Sequence, residues 1–322
     1  MTLKVSFAVA VACVALTSFA QAADMQPVLK APAAQPDQQA TGYVEVYSGW
    51  ASTKANDLGG SERFNGWALG GAGRGNYWVS HDVSVQVDAQ AEGTSYDFPG
   101  SGGHLSTHSY LVGGHWSWRN PEQYLFGLFG AVGDAGGFGV DFSQRHGLIG
   151  GEAQWYWSQF TLYAQVGYDT TLNSLNRIDS INAWFIRGTG RYFINPNFLI
   201  EGTVMYDNGN VDRTCCGASF GFQTWTWGVK SEWRLATAPF SVFAKYQGSE
   251  IKYDNSDDFQ LFGAKVTDHR VLLGLKLHMG DRTLQQTDRA GATLDIMSPL
   301  ANPTSPLMFS PGAALPALPP PI

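Results

Sequence analysis

Charge is scarce in this 322-residue chain, cysteine is scarcer, and no long apolar run follows its first two dozen residues. Charged residues make up 15% of it, against roughly 25% in an ordinary soluble domain, so the composition does not suit a surface hydrated all round. A formal charge of −7 leaves no basic footprint for nucleic acid. Cys13 lies near the N-terminus, and Cys215 and Cys216 are adjacent in "RTCCGAS", so no spaced pair supports a disulfide scaffold. Two ordinary loop cysteines are favoured over a strained vicinal disulfide or a soft-metal site, which recruits more ligands than this. Beyond residue 22 nothing approaches the ~20 apolar residues of a helical span. If the chain crosses a membrane it does so as a closed β-barrel, the other structure that satisfies every backbone hydrogen bond internally.

Glycine (38) and tryptophan (11) are plentiful, and aromatics reach 13%. Residues 1–22 carry Lys4, an apolar run from Val5 to Leu16 and a small-residue exit at Ala20-Gln21-Ala22; they read as a cleaved secretory signal. "DVSVQVDAQAEG" (82–93) then alternates apolar and polar side chains without a miss from Val83 to Glu92. Successive strand residues point to opposite faces, so this is a strand between two environments.

Twelve such segments begin near Tyr43, Trp67, Val83, Ser106, Tyr124, Arg145, Phe160, Asn182, Phe198, Phe222, Phe240 and Arg270. Short connections ("VSHD", "RNPEQ", "WSQF", "INPN", "ATAP") alternate with long Gly/Asp/Ser/Asn-rich ones. An even strand number with tight turns on one rim and long loops on the other is the outer-membrane pattern, and a soluble sandwich has no reason to sort its loops. On the apolar rows, rings recur eight residues apart: Phe160 and Tyr168, Trp184 and Tyr192, Phe198 and Tyr206, Trp225 and Trp233, Tyr110 and Trp118. Eight tilted residues span roughly 19 Å along the axis, close to the ~25 Å apolar band between aromatic girdles. The expected fold is therefore all-β, a transmembrane antiparallel up-and-down barrel of about twelve strands. Val83, Val85, Val87, Ala89 and Ala91 face lipid, and Ser84, Gln86, Asp88, Gln90 and Glu92 face the lumen.

On these features, together with the leader "AADMQPVLKAPAAQP" and the last strand "LLGLKLHM" with Gly274, Leu277 and Met279, the chain resembles porin-like outer-membrane β-barrels of Gram-negative, alphaproteobacterial-type bacteria. Leu272 stands where that barrel-assembly pattern has a polar residue, and the chain runs 43 residues beyond Met279 instead of stopping. The resemblance implies an outer-membrane location, with lipid, lipopolysaccharide and the barrel-assembly machinery as partners. The domain reading is a signal (1–22), a periplasmic leader (23–41), a barrel (42–280) and a proline-rich, disordered periplasmic tail (281–322) placed for cell-wall contact.

The polar rows assign Glu45, Arg74, Asp88, Glu92, Glu152, Arg187, Arg191, Glu201, Lys230, Glu232, Lys245 and Lys276 to the pore lining. The first six strands are mostly acidic inside and the last six mostly basic. Either this sets a transverse field across the lumen, or neighbours such as Glu45 and Lys276, or Arg74 and Asp88, pair and fill the space. Twelve strands lie between barrels filled by side chains and barrels with an aqueous channel, so size does not decide between pore and plug.

Catalysis is not expected. His115 and Ser117 share a face in "GGHWSWRN", but they point inward near the short turn and lack the His-x-Ser-Asn-Gly context of outer-membrane phospholipases. "DNSDD" (254–258) does not follow a calcium-loop alternation, and no phosphate-binding glycine loop opens a helix; no metal or cofactor is expected. The leading reading is a porin-like channel for passive diffusion of small hydrophilic solutes. The alternative is a non-conducting structural or surface-interaction barrel whose long loops and tail make contacts.

Overall fold

A computed structural model describes residues 39–57, 60–97, 104–137, 144–172, 180–213, 218–254 and 265–305. The expected signal, most of the leader, Cys215, Cys216 and most of "DNSDD" lie outside these residues. Twelve strands follow in order: β1 (Ala40–Asp57), β2 (Gly60–Trp78), β3 (Val83–Asp97), β4 (His104–Asn120), β5 (Tyr124–Gly136), β6 (Gln144–Trp157), β7 (Phe160–Thr171), β8 (Ser180–Asn195), β9 (Phe198–Arg213), β10 (Ala218–Arg234), β11 (Phe240–Tyr253) and β12 (Lys265–Met279). Each pairs antiparallel with its sequence neighbours, and β1 closes on β12, with Glu45 opposite Lys276. The fold is a closed twelve-stranded antiparallel barrel, as the alternation predicts.

Strands entered from short turns begin where the pattern places them: Val83, Tyr124, Phe160, Phe198 and Phe240. Strands entered from long connections begin one to seven residues earlier than the pattern does, β2 at Gly60 and β12 at Lys265 being the largest differences. Above the apolar band both faces of a strand meet water, so the ladder of backbone hydrogen bonds continues where no alternation is demanded of the side chains.

The rows divide as expected at β3: Ser84, Gln86 and Asp88 are buried inside, while Val85 and Val87 are exposed outside. No helix among the described residues is long and apolar enough to cross a membrane.

The C-terminal segment departs from the expectation of a disordered periplasmic tail. Gly280, at φ 98°, supplies the left-handed backbone that turns the chain out of β12. Residues 281–305 then run inside the barrel. Helix α1 (Leu284–Ala290) is capped by Thr283, whose hydroxyl accepts from the Gln286 amide at 3.0 Å. The helix sits on two short turns: the Gln285 amide donates to Pro196 O at 3.1 Å, and the Gln285 side chain donates to Ser158 O at 2.9 Å. An irregular stretch, 291–305, continues toward the long-loop rim. Within 291–305, Pro299 and Pro303 disfavour a regular element, but not an irregular stretch whose backbone polar groups are met by wall side chains. Residues 306–322 lie outside the described part.

Candidate functional site: the lumen and the segment that fills it

All twelve residues expected to line a pore stand on inward rows of their strands, together with His115, Arg119, Asp169, Arg234, Asp268 and Arg270. Rings on the outward rows include Trp118, Tyr168, Trp184, Tyr192, Trp225 and Trp233, each 46% to 54% exposed; Phe160, Phe198 and Tyr206 are half-buried on the same face, where Tyr206 packs between Trp184 and Trp225.

Across β2 to β8 the inward groups reach the inserted segment. Gln86 makes two bonds with Leu294, its Nε2 donating to the carbonyl at 2.7 Å and its Oε1 accepting from the amide at 3.2 Å. Gln90 donates to Ile296 O at 3.3 Å, Gln165 to Asp295 O at 2.8 Å, and Arg119 to Gly291 O at 2.9 Å. Arg187 holds both Asp295 carboxylate oxygens, at 2.7 and 2.9 Å, and Arg191 holds Asp288 at 2.7 Å. Near the short-turn rim, Arg234 donates to Asp281 O at 2.6 Å. The inserted acids, Asp281, Asp288 and Asp295, recur every seven residues; the carboxylates of Asp288 and Asp295 each meet an arginine from the half of the wall that is basic by sequence, whereas Arg234 holds Asp281 by its backbone carbonyl.

Apolar anchors complete the seating. Leu284 packs on Phe193 and Leu199; Leu294 on Leu125, Tyr156 and Tyr163; Ile296 on Leu111, Phe129, Leu148, Phe185 and Met205; Leu300 on a cluster that includes Phe222, Ile251 and Val266. Burying each such side chain stabilises docking by about 1.5–3 kcal/mol. Gly113 shows how closely the segment fits, since a Cβ there would stand 2.3 Å from Ile296 Cδ1. The sequence did carry a signal for this. Leu111, Leu125, Phe129, Leu148 and Phe185 occupy inward positions that a lumen holding only water has no use for.

On the remaining arc, β9 to β12 with β1, most charges other than Arg234 and Lys245 are met within the wall. Glu45 meets Lys276 at 3.2 Å, Lys276 meets Glu232 at 3.0 Å, Glu232 meets Lys230 at 3.3 Å, and Lys230 meets Glu201 at 3.7 Å. Arg74 meets Asp88 at 3.7 Å, and Arg270 pairs with Asp268 at 2.8 Å and with Glu92. Of the two readings of the inward charges, local pairing is the one this geometry carries. Between this arc and the inserted segment a polar cavity of about 220 Å³ remains, lined by Tyr43, Glu45, Arg74, Lys230, Lys245 and Asp295 among others. Lys245, opposite Lys230 in the ladder, has no carboxylate within ion-pair distance among the described residues.

Two buried histidines of the lumen are held by carboxylates. The two His115 nitrogens face Glu152 at 2.7 Å and Asp88 at 3.2 Å, while the Ser117 hydroxyl pairs with Ser84 at 2.9 Å. Asp169 bonds both His146 Nδ1, at 2.9 Å, and the Ser298 hydroxyl, which stands 3.5 Å from the same His146 nitrogen. Among the described residues no group of three or more His, Cys, Asp or Glu side chains is arranged to hold a metal ion.

No family model and no curated protein matches the sequence. Among solved structures, the chain is similar to an outer membrane channel from Pseudomonas putida F1, at TM-score 0.53 and 10% identity over 80% of this chain and 100% of that one. It is also similar to the translocator domain of the autotransporter NalP from Neisseria meningitidis, at TM-score 0.48 and 7% identity over 86% of this chain and 98% of that one. At 10% identity the likeness to the Pseudomonas channel concerns the fold alone, a closed antiparallel β-barrel of the outer-membrane kind.

Proposed function

We propose that the protein is an outer-membrane channel for small hydrophilic solutes, held closed at rest by its own C-terminal segment. The observation that carries this reading is the division of the lumen into a segment docked from one end and a polar cavity beside it. The segment enters the lumen after Gly280, and many of its bonds are between polar groups that water can replace. The fold supports an outer-membrane location, and the short turns then face the periplasm.

A second reading has an observation of its own. The four buried anchors and the arginine-held carboxylates suit a permanently filled, non-conducting barrel whose long loops make external contacts.

Planar-bilayer recording separates the two. The full chain is expected to be closed or to open rarely, and a chain ending at Gly280 to give discrete conductance steps. A truncated barrel that is folded yet silent would overturn the channel reading in favour of the second.

A further inference from the structure

The outer surface at the long-loop rim carries a charge cluster that a lumen-centred function does not use. On β1, Lys54 lies between the inward-facing Thr53 and Ala55; on β2, Arg63 precedes the inward Phe64; on β11, Lys252 lies between the inward Ile251 and Tyr253; on β12, Lys265 precedes the inward Val266. Strand alternation therefore turns all four cations outward.

The register brings them together. Lys54 is opposite Arg63, and Lys252 is opposite Lys265. Lys54 also faces Thr267 across β12, two residues from Lys265. The four thus span three inter-strand spacings, roughly 14 Å. Like charges directly opposite across a ladder are destabilising, and here two such pairs are adjacent. Glu250 offsets part of this, at 3.4 Å from Lys252 and 2.7 Å from Lys265. Among the described residues Lys54 and Arg63 have no ion-pair partner, and the Lys252 side chain is 62% exposed.

Their height on the wall identifies the environment. Trp67, Trp50, Val271 and Tyr246 form one outward row across the same four strands. Arg63 and Lys54 lie four residues beyond that row, and Lys265 and Lys252 six. With strands tilted ~45°, this is roughly 9–14 Å above the rings, on the side away from the apolar band. A surface at that level meets lipid headgroups.

We propose that this four-strand patch binds the phosphate groups of a phosphorylated glycolipid of the outer leaflet, of the lipopolysaccharide kind. This rests on the outer-membrane orientation above, with long loops outside, and does not depend on whether the lumen conducts. Arginine and lysine are suited to phosphate oxygens, and a polyanion here converts two repulsive cross-strand pairs into attractive contacts.

The test is titration of the full-length protein in detergent, with a chelator present, using a diphosphorylated lipid A-type glycolipid and its dephosphorylated form, read by native mass spectrometry. The phosphorylated lipid is expected to bind more tightly. Each of Lys54→Gln, Arg63→Gln, Lys252→Gln and Lys265→Gln should lower its affinity about fivefold, while Lys245→Gln, inside the lumen, leaves it unchanged. Excess inorganic phosphate should displace the lipid only weakly, because it lacks the acyl chains that lie against Trp50 and Trp67. Equal binding of the two lipids, or full retention of binding in the fourfold Gln variant, would overturn the proposal. Conductance of the truncated chain is read separately, so failure of one proposal leaves the other standing.

Discussion

The two arcs of the inner wall solve the same problem in different ways. From β2 to β8 the wall presents Gln86, Gln90, Arg119, Gln165 and Arg187 to the backbone and carboxylates of the inserted segment. From β9 round to β1 it joins Glu201, Lys230, Glu232, Lys276 and Glu45 to one another. Amides and guanidinium groups, with several donors each, suit a surface that meets a partner chain. Carboxylate–ammonium ladders suit a surface that meets water and must be satisfied alone. The first arc is covered along its height, whereas the second meets the segment at Arg234 near one rim and at Thr226 and Ser249 toward the other, and its middle, around Lys230 and Lys245, borders the cavity.

The largest effect expected of a point change in the covered arc is that of Arg187→Ala. It leaves the half-buried Asp295 carboxylate without its bidentate partner and should weaken docking by about 3 kcal/mol, the low end for a buried pair, read as protease access to 284–305 in an otherwise intact barrel. Asp295→Asn in the same background should recover part of that loss. Ile296→Ala removes the central anchor and should cost about 2–5 kcal/mol of docking, again without loss of the barrel. Outside, Val85→Arg places a cation against mid-bilayer lipid and should cost about 2–4 kcal/mol of insertion, measured by folding into vesicles. Gln86→Arg sharpens the comparison. A water-lined position would accept it, but Gln86 holds Leu294 from both sides, so insertion should proceed and the segment should come loose.

The smallest expected effect depends on pH. Burial raises the carboxyl of Asp281 to about 6, with Thr287 and the nearby Arg234 and Arg119 acting against the shift. Because the docked form holds this proton more tightly than the free form, whose carboxyl titrates near ~4, docking is strongest below that value and weakens as pH rises through about 6. At this rim position the difference should amount to about 1–2 kcal/mol. Protease access to the segment should therefore be greater at neutral pH than in acid, and Asp281→Asn should flatten the profile.

The wall was legible because its rule is local. Every second residue of a strand shares an environment, so the rows of β3 and the eight-residue ring spacing appear in the sequence directly. Strand ends above the apolar band were not legible, since nothing there forces alternation: Gly60 to Gly66 pairs in the ladder without a periodic pattern. The inserted segment was hidden for another reason. Leu284, Leu294, Ile296 and Leu300 follow no period, because each fits a separate recess in a wall formed by residues far away in the chain. Apolar residues on the inward rows held that information, but a strand-by-strand reading places a residue on a face without asking what lies opposite it.

Cysteine accessibility tests the central claim most directly. With Cys13, Cys215 and Cys216 replaced by serine, a single cysteine is placed at Gln165, under the inserted segment, or at Lys245, beside the cavity, and the full-length protein in membranes is treated with a small water-soluble maleimide. Position 245 should react and position 165 should be shielded, and ending the chain at Gly280 should make both react alike. Equal labelling of the two positions in the full-length protein would contradict a lumen filled on one side by the C-terminal segment.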